Sequence, residues 1–185
     1  MYQQSGNFFR MPDHSAFYKV RTGMQWGKRW MIDFLVQLGR AWDSDIYWQI
    51  DESGNYSQIP LGDISVEGGS PPRWKVPRVG GHVSHRCGVD VDIYVISKDG
   101  TPTSKSFYGS TNYDLARTKE LGRLILKIGK QDLEKVLIGG DDLVSYLKTK
   151  ETEYGHSNVI EHDPGAMHLN HFHIRLKNKD GDKSC

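Results

Sequence analysis

Between Val89 and Ser97 the chain reads VDVDIYVIS, with apolar and polar residues taking alternate places. Val89, Val91, Ile93 and Val95 share one face of an extended segment, and Asp90, Asp92 and Tyr94 share the other. The valine face must be buried, so this segment predicts a strand laid against a core, with its carboxylates pointing the opposite way. The other elements are read around it. Trp26, Trp30, Met31, Phe34, Leu35, Leu38 and Trp42 recur at helical spacing and predict an amphipathic helix from Met24 to Trp42. Ile46 to Ile50 reads as a short strand and Asp51 to Asn55 as its turn, while the Gly- and Pro-rich stretch from Gln58 to Gly81 reads as a long ordered loop. A helix capped by Asn112 or Asp114 runs to about Ile128. Val136 to Ile138 is a buried strand ending at Gly139-Gly140, and Asp141 or Asp142 opens a helix through about Lys148. His171 to Leu176 reads as the last strand and Asn178 to Cys185 as a frayed tail. Helices and strands that do not alternate strictly give an α+β class. At 185 residues the chain forms a single domain, with a helical portion over about 1–45, a core over about 46–177 and a tail over 178–185.

The charge balance narrows the partners. Twenty-four Lys plus Arg stand against 23 Asp plus Glu, a formal net charge of +1, which argues against a nucleic-acid partner. No apolar run is long enough to span a membrane, and the opening MYQQSGNFFRMPD lacks the pattern of a secretory signal. Cys87 and Cys185 cannot build a disulfide framework; they are expected as unpaired thiols, or as one bridge if the mature protein sits in an oxidising compartment.

Five of the 8 histidines fall in two short windows, His82 and His85 in GGHVSHRCGVDVDI, and His168, His171 and His173 in MHLNHFHIRL. On a strand, His171 and His173 lie on one face, roughly 6.6 Å apart, so both imidazoles can reach one small site. Gly88 is free to take a positive φ, so the turn Arg86-Cys87-Gly88 can bring His85 back beside the face that carries Asp92. Two imidazoles and a carboxylate with a further position open make a catalytic zinc set. A thiolate from Cys87 would close that position, and the His-x-x-x-His helix motif of many metalloproteases is absent. Asp90 either orients a ligand histidine or is solvated. Asp63 and Ser65 read as loop anchors, Trp48 and Trp74 as contacts for a glycan or peptide, and Arg175 as a residue able to meet a substrate carboxylate. His14, His156 and His162 have no partner pattern and read as surface or loop residues.

His85-x6-Asp92 followed far downstream by His171-x-His173 resembles the metallopeptidase group that joins lysostaphin-type enzymes, D-Ala-D-Ala peptidases and hedgehog domains. Ser84–Ile93, the segment His168-x-x-His171-Phe-His-x-Arg-Leu176, and Leu61-Gly-Asp-Ile-Ser65 with Gly68-Gly69 resemble the penicillin-insensitive murein endopeptidases in particular. Arg86-Cys87 departs from that family's more usual Gln-plus-small pair. The resemblance implies a hedgehog-like domain with a mainly antiparallel central sheet, flanking helices and long loops. It also implies one Zn²⁺ ion on His85, Asp92 and His173. His171 is then the general base or an orienting neighbour of the metal. His168 lines the site beside the oxyanion or is held by the backbone, and His82 lies near the site or anchors its loop. The implied reaction is hydrolysis of D-Ala to diaminopimelate cross-links in bacterial peptidoglycan. The rival readings are a non-catalytic zinc-containing binding module, a D-Ala-D-Ala carboxypeptidase or dipeptidase, and a non-haem iron oxygenase. Such a substrate lies in the periplasm or cell wall, so the chain is expected as a phage lysin, as a secreted antibacterial effector with an immunity protein as partner, or with a leader removed.

Overall fold

The computed structural model describes residues 2–44, 54, 57–65, 67–69, 84–100, 107–163 and 166–180. The expected strand at 46–50, Trp48, Trp74, His82, Cys185 and most of the 58–81 loop lie outside them. The chain forms a mixed α/β domain. Its strands are β1 (Gln4–Ser5), β2 (Phe8–Arg10), β3 (Phe17–Lys19), β4 (Trp26–Gly27), β5 (Ile59–Leu61), β6 (Asp90–Tyr94), β7 (Leu133–Ile138), β8 (Ile160–His162) and β9 (His171–Leu176). The helices are α1 (Arg29–Asp43), α2 (Leu115–Gly129) and α3 (Asp141–Glu153).

The main sheet has the order β3-β5-β6-β9-β7-β8, and β1-β2-β4 form a small antiparallel sheet beside it. The three central pairings of the main sheet are antiparallel, and the edge pairs β3–β5 and β7–β8 are parallel. The predicted alternation of β6 is realised across the β6–β9 ladder. Val91 faces Ile174 and Ile93 faces Phe172, and these residues join Val136 and the helix residues Leu35, Leu38, Leu121, Ile125 and Leu143 in one core.

The N-terminal portion differs from its helical expectation, since strands precede and follow one another there before α1 begins. Trp26 and Gly27 pair with Arg10 and Phe9, and extended Lys28 then opens α1 at Arg29. Trp26 is therefore buried from a strand, while Trp42 is buried from the helix. Asp114, not Asn112, caps α2, its carboxylate accepting from the Arg117 amide at 2.9 Å. α3 runs past Lys148 to Glu153, where the Tyr154 amide closes it on the Lys150 carbonyl. Among the described residues no helix is long and apolar enough to cross a membrane.

Candidate metal centre

The polar face of the β6–β9 ladder carries the chemistry. Because the two strands are antiparallel and in register, Asp90 lies opposite Arg175, Asp92 opposite His173, and Tyr94 opposite His171. His85 arrives from the other side, on the 3-10 turn Ser84–Cys87. Gly88 makes that return possible. Its φ is +66°, and a Cβ there would sit 2.7 Å from the Phe8 ring and 3.0 Å from the Gly27 Cα.

His85, Asp92 and His173 then form a buried group whose ligand atoms lie within 4.8 Å of one another, and this group can hold a metal ion. They are 2%, 3% and 9% exposed. The Asp92 carboxylate is the hub. One of its oxygens is 2.9 Å from His173 Nδ1, 3.3 Å from His85 Nε2 and 3.7 Å from His171 Nε2.

The imidazoles are oriented from behind. His85 Nδ1 donates to the Ile64 carbonyl at 2.9 Å, which turns Nε2 toward Asp92. His173 Nε2 donates to Asp90 at 3.1 Å, which turns Nδ1 toward Asp92. Asp90 is fully buried, and Arg175 grips both its oxygens, at 2.8 and 3.1 Å. Of the two readings of Asp90, solvation is therefore excluded, and it orients a histidine. Arg175, read from the sequence as able to meet a substrate carboxylate, is engaged with the Asp90 carboxylate.

Electrostatics match a site built for a cation. Burial pushes Asp92 up, but the hydrogen bonds from His173 and His85 outweigh it and hold the carboxyl well below the usual range. Burial likewise works against charge on His173, yet its bonds to Asp90 and Asp92 prevail, and its pKa is pushed up to about 9. His85 is raised too, with Asp92 overcoming its burial. Without a metal, His173 thus donates from both nitrogens, and a proton sits on the ring where a cation would otherwise be held. Nitrogen and oxygen donors of this kind suit zinc and related divalent ions, so the residues fit such a metal.

Two further imidazoles line the group. His171 Nδ1 bonds the Asn170 side chain at 2.7 Å, and its ring lies 5.7 Å from Tyr94. The His168 ring is 5.0 Å from that of His171 and 5.8 Å from that of His173. Its Nδ1 bonds the carboxylate of Asp163, the residue after β8, which no motif or period in the sequence singles out. The only signal in the sequence was a carboxylate five positions before a site histidine, too common to single out.

Asp63 and Ser65 anchor backbone as expected. The Asp63 carbonyl accepts from the Asp92 amide at 2.9 Å, its carboxylate binds Arg21, and the Ser65 carbonyl accepts from Trp26. His14, His156 and His162 lie away from the metal group, His156 bonded to the Leu126 carbonyl and His162 paired with Asp141. Cys87 is not part of the metal group, but the expectation of a free thiol is corrected, because it is disulfide-bonded. A scan against protein-family models and a search of curated proteins find no match to this chain.

Proposed function

We propose that the protein is a zinc-dependent hydrolase of peptide cross-links in bacterial peptidoglycan, acting on D-Ala to diaminopimelate bonds as the penicillin-insensitive murein endopeptidases do. The observation that carries this reading is the pair of imidazoles, His171 and His168, set beside an oriented two-histidine, one-carboxylate group. A purely structural metal site is closed by its ligands and needs no such neighbours, which weighs against a binding module. The gap from His85 to Asp92 also differs from that of iron oxygenases, whose histidine and acid ligands are usually one residue apart.

When bound, zinc supplies Lewis acidity, lowering the pKa of water from 15.7 to about 7 and polarising a carbonyl. The chain's own residues do the rest. His85, Asp92 and His173 hold the cation, and Asp90 with Arg175 keeps His173 in one orientation. His171, with Nδ1 fixed by Asn170 and Nε2 toward Asp92, takes the proton from the attacking water and returns it to the departing amine. No serine is acylated, so β-lactams would not inhibit.

The place of action is outside the cytoplasm, in the periplasm or wall, and the disulfide at Cys87 supports an oxidising setting. Release by phage lysis or by a secretion machine both fit, and an effector would need an immunity protein in its producer. Digestion of defined muropeptides by the zinc-loaded protein, read by mass spectrometry, tests the reaction. His173→Ala is expected to lose zinc and turnover together. His171→Ala should retain zinc and lose about 10²–10⁴-fold in kcat. Equal cleavage by a metal-free His173→Ala protein would overturn the proposal.

A further inference from the structure

The pairing of Asp163 with His168 is built in detail by the fold. Asp163 is the residue after β8, and its amide donates to the Ile138 carbonyl at 3.1 Å. One residue further along that neighbouring strand end, the Gly139 amide donates to the His168 carbonyl at 2.8 Å. The ends of β7 and β8 therefore fix the backbone on both sides of the pair. The junction is tight: a Cβ on Gly139 would lie 3.2 Å from the Asp163 carbonyl, 3.3 Å from the His168 carbonyl and 2.7 Å from Leu169. Both side chains are largely covered, His168 at 14% and Asp163 at 21% exposure.

We infer that Asp163 is a positioning residue for the hydrolysis proposed above, on which this assignment rests, and that it acts through His168. Accepting from Nδ1–H, the carboxylate fixes both the tautomer and the plane of the ring. Nε2 is then the nitrogen left for the peptide, on a ring whose centroid lies 5.0 Å from that of His171 and 5.8 Å from that of His173. An imidazole on a short 3-10 turn (Ala166–His168) would otherwise sample several rotamers, and each wrong one removes it from the peptide. Asp163 does not touch substrate; its effect is the orientation of a ring that does.

The experiment compares wild type, Asp163→Ala, Asp163→Asn, His168→Ala and the Asp163→Ala/His168→Ala double variant, all zinc-loaded, on a defined cross-linked muropeptide. Asp163→Ala is expected to lower kcat about 10–100-fold with KM within about twofold, at unchanged zinc stoichiometry. On the His168→Ala background the same substitution should cost nothing more, because its only route to the reaction has gone. In a ¹H–¹⁵N spectrum of imidazole resonances, the protected His168 Nδ1–H signal of the wild type should disappear in Asp163→Ala. Asp163→Asn keeps the volume and a carbonyl acceptor but not the charge, so a smaller loss than in Asp163→Ala is expected; Asp163→Leu, which offers no acceptor, serves in place of alanine if that variant does not fold. If wild type cleaves and Asp163→Ala cleaves equally fast, or if the two losses multiply in the double variant, the positioning role is overturned while the hydrolase reading stands. If wild type leaves the muropeptide intact, the hydrolase reading fails first and takes this role with it.

Discussion

Three hydrogen bonds converge on Asp90, from His173 Nε2, Arg175 Nε and Arg175 Nη2, although it offers no oxygen to the metal group itself. A buried carboxylate is tolerable only when its charge is met this completely, and Arg175 meets it with the forked geometry that guanidinium favours. Asp90→Asn keeps an acceptor for one donor and removes the charge that holds both. Zinc affinity is expected to fall about 10–100-fold, measured by competition with a chromophoric chelator. An unchanged affinity would mean that His173 is oriented by something else. The trio His85, Asp92 and His173 was legible in the sequence because strand alternation and a glycine turn limit where those side chains can point. Asp163 was not. It sits in an irregular stretch with no period, and its partnership depends on two strand ends that the sequence alone does not bring together.

Among the elements, β6 and β9 were readable since each alternates long enough to declare its faces, and α1 and α2 since their apolar stripes repeat over several turns. The strands β1, β2, β3 and β4 are two or three residues long, too short for any period to emerge, and they exist because neighbouring backbone is available to pair. The turn before β6 is the most exacting of the connections. Gly88 needs its positive φ and also leaves no room for a side chain beside Phe8 and Gly27, and its carbonyl accepts from the Lys28 amide at 2.9 Å. Gly88→Ala therefore adds backbone strain and a clash between the small sheet and the metal group. A loss of about 1–3 kcal/mol in urea unfolding is expected, together with weaker zinc binding as His85 shifts. Unfolding at the wild-type urea midpoint would show that the turn is not held as described.

For the whole molecule, the metal group ties stability to pH in a way that loading is expected to remove. In the metal-free protein, the bonds to Asp90 and Asp92 push the His173 pKa up to about 9 from the ordinary imidazole value of about 6.5. Its contribution is complete below about 6.5 and is lost as pH rises through about 9. Asp92, held below the usual range, contributes above the ordinary carboxylate pKa and loses that contribution as pH falls. The stripped protein should thus show a falling Tm between about pH 6.5 and 9. The zinc-loaded protein should hold its Tm across that interval, because the cation has replaced the proton. A stripped protein with a level Tm there would remove the proton from His173. The same ladder also sets a schedule. Asp92 and His173 stand 81 positions apart, with α2, β7, α3 and β8 all threaded between them. No nascent chain lacking β9 can assemble the His85, Asp92 and His173 group, so a ribosome must finish that distant stretch before the three side chains can meet.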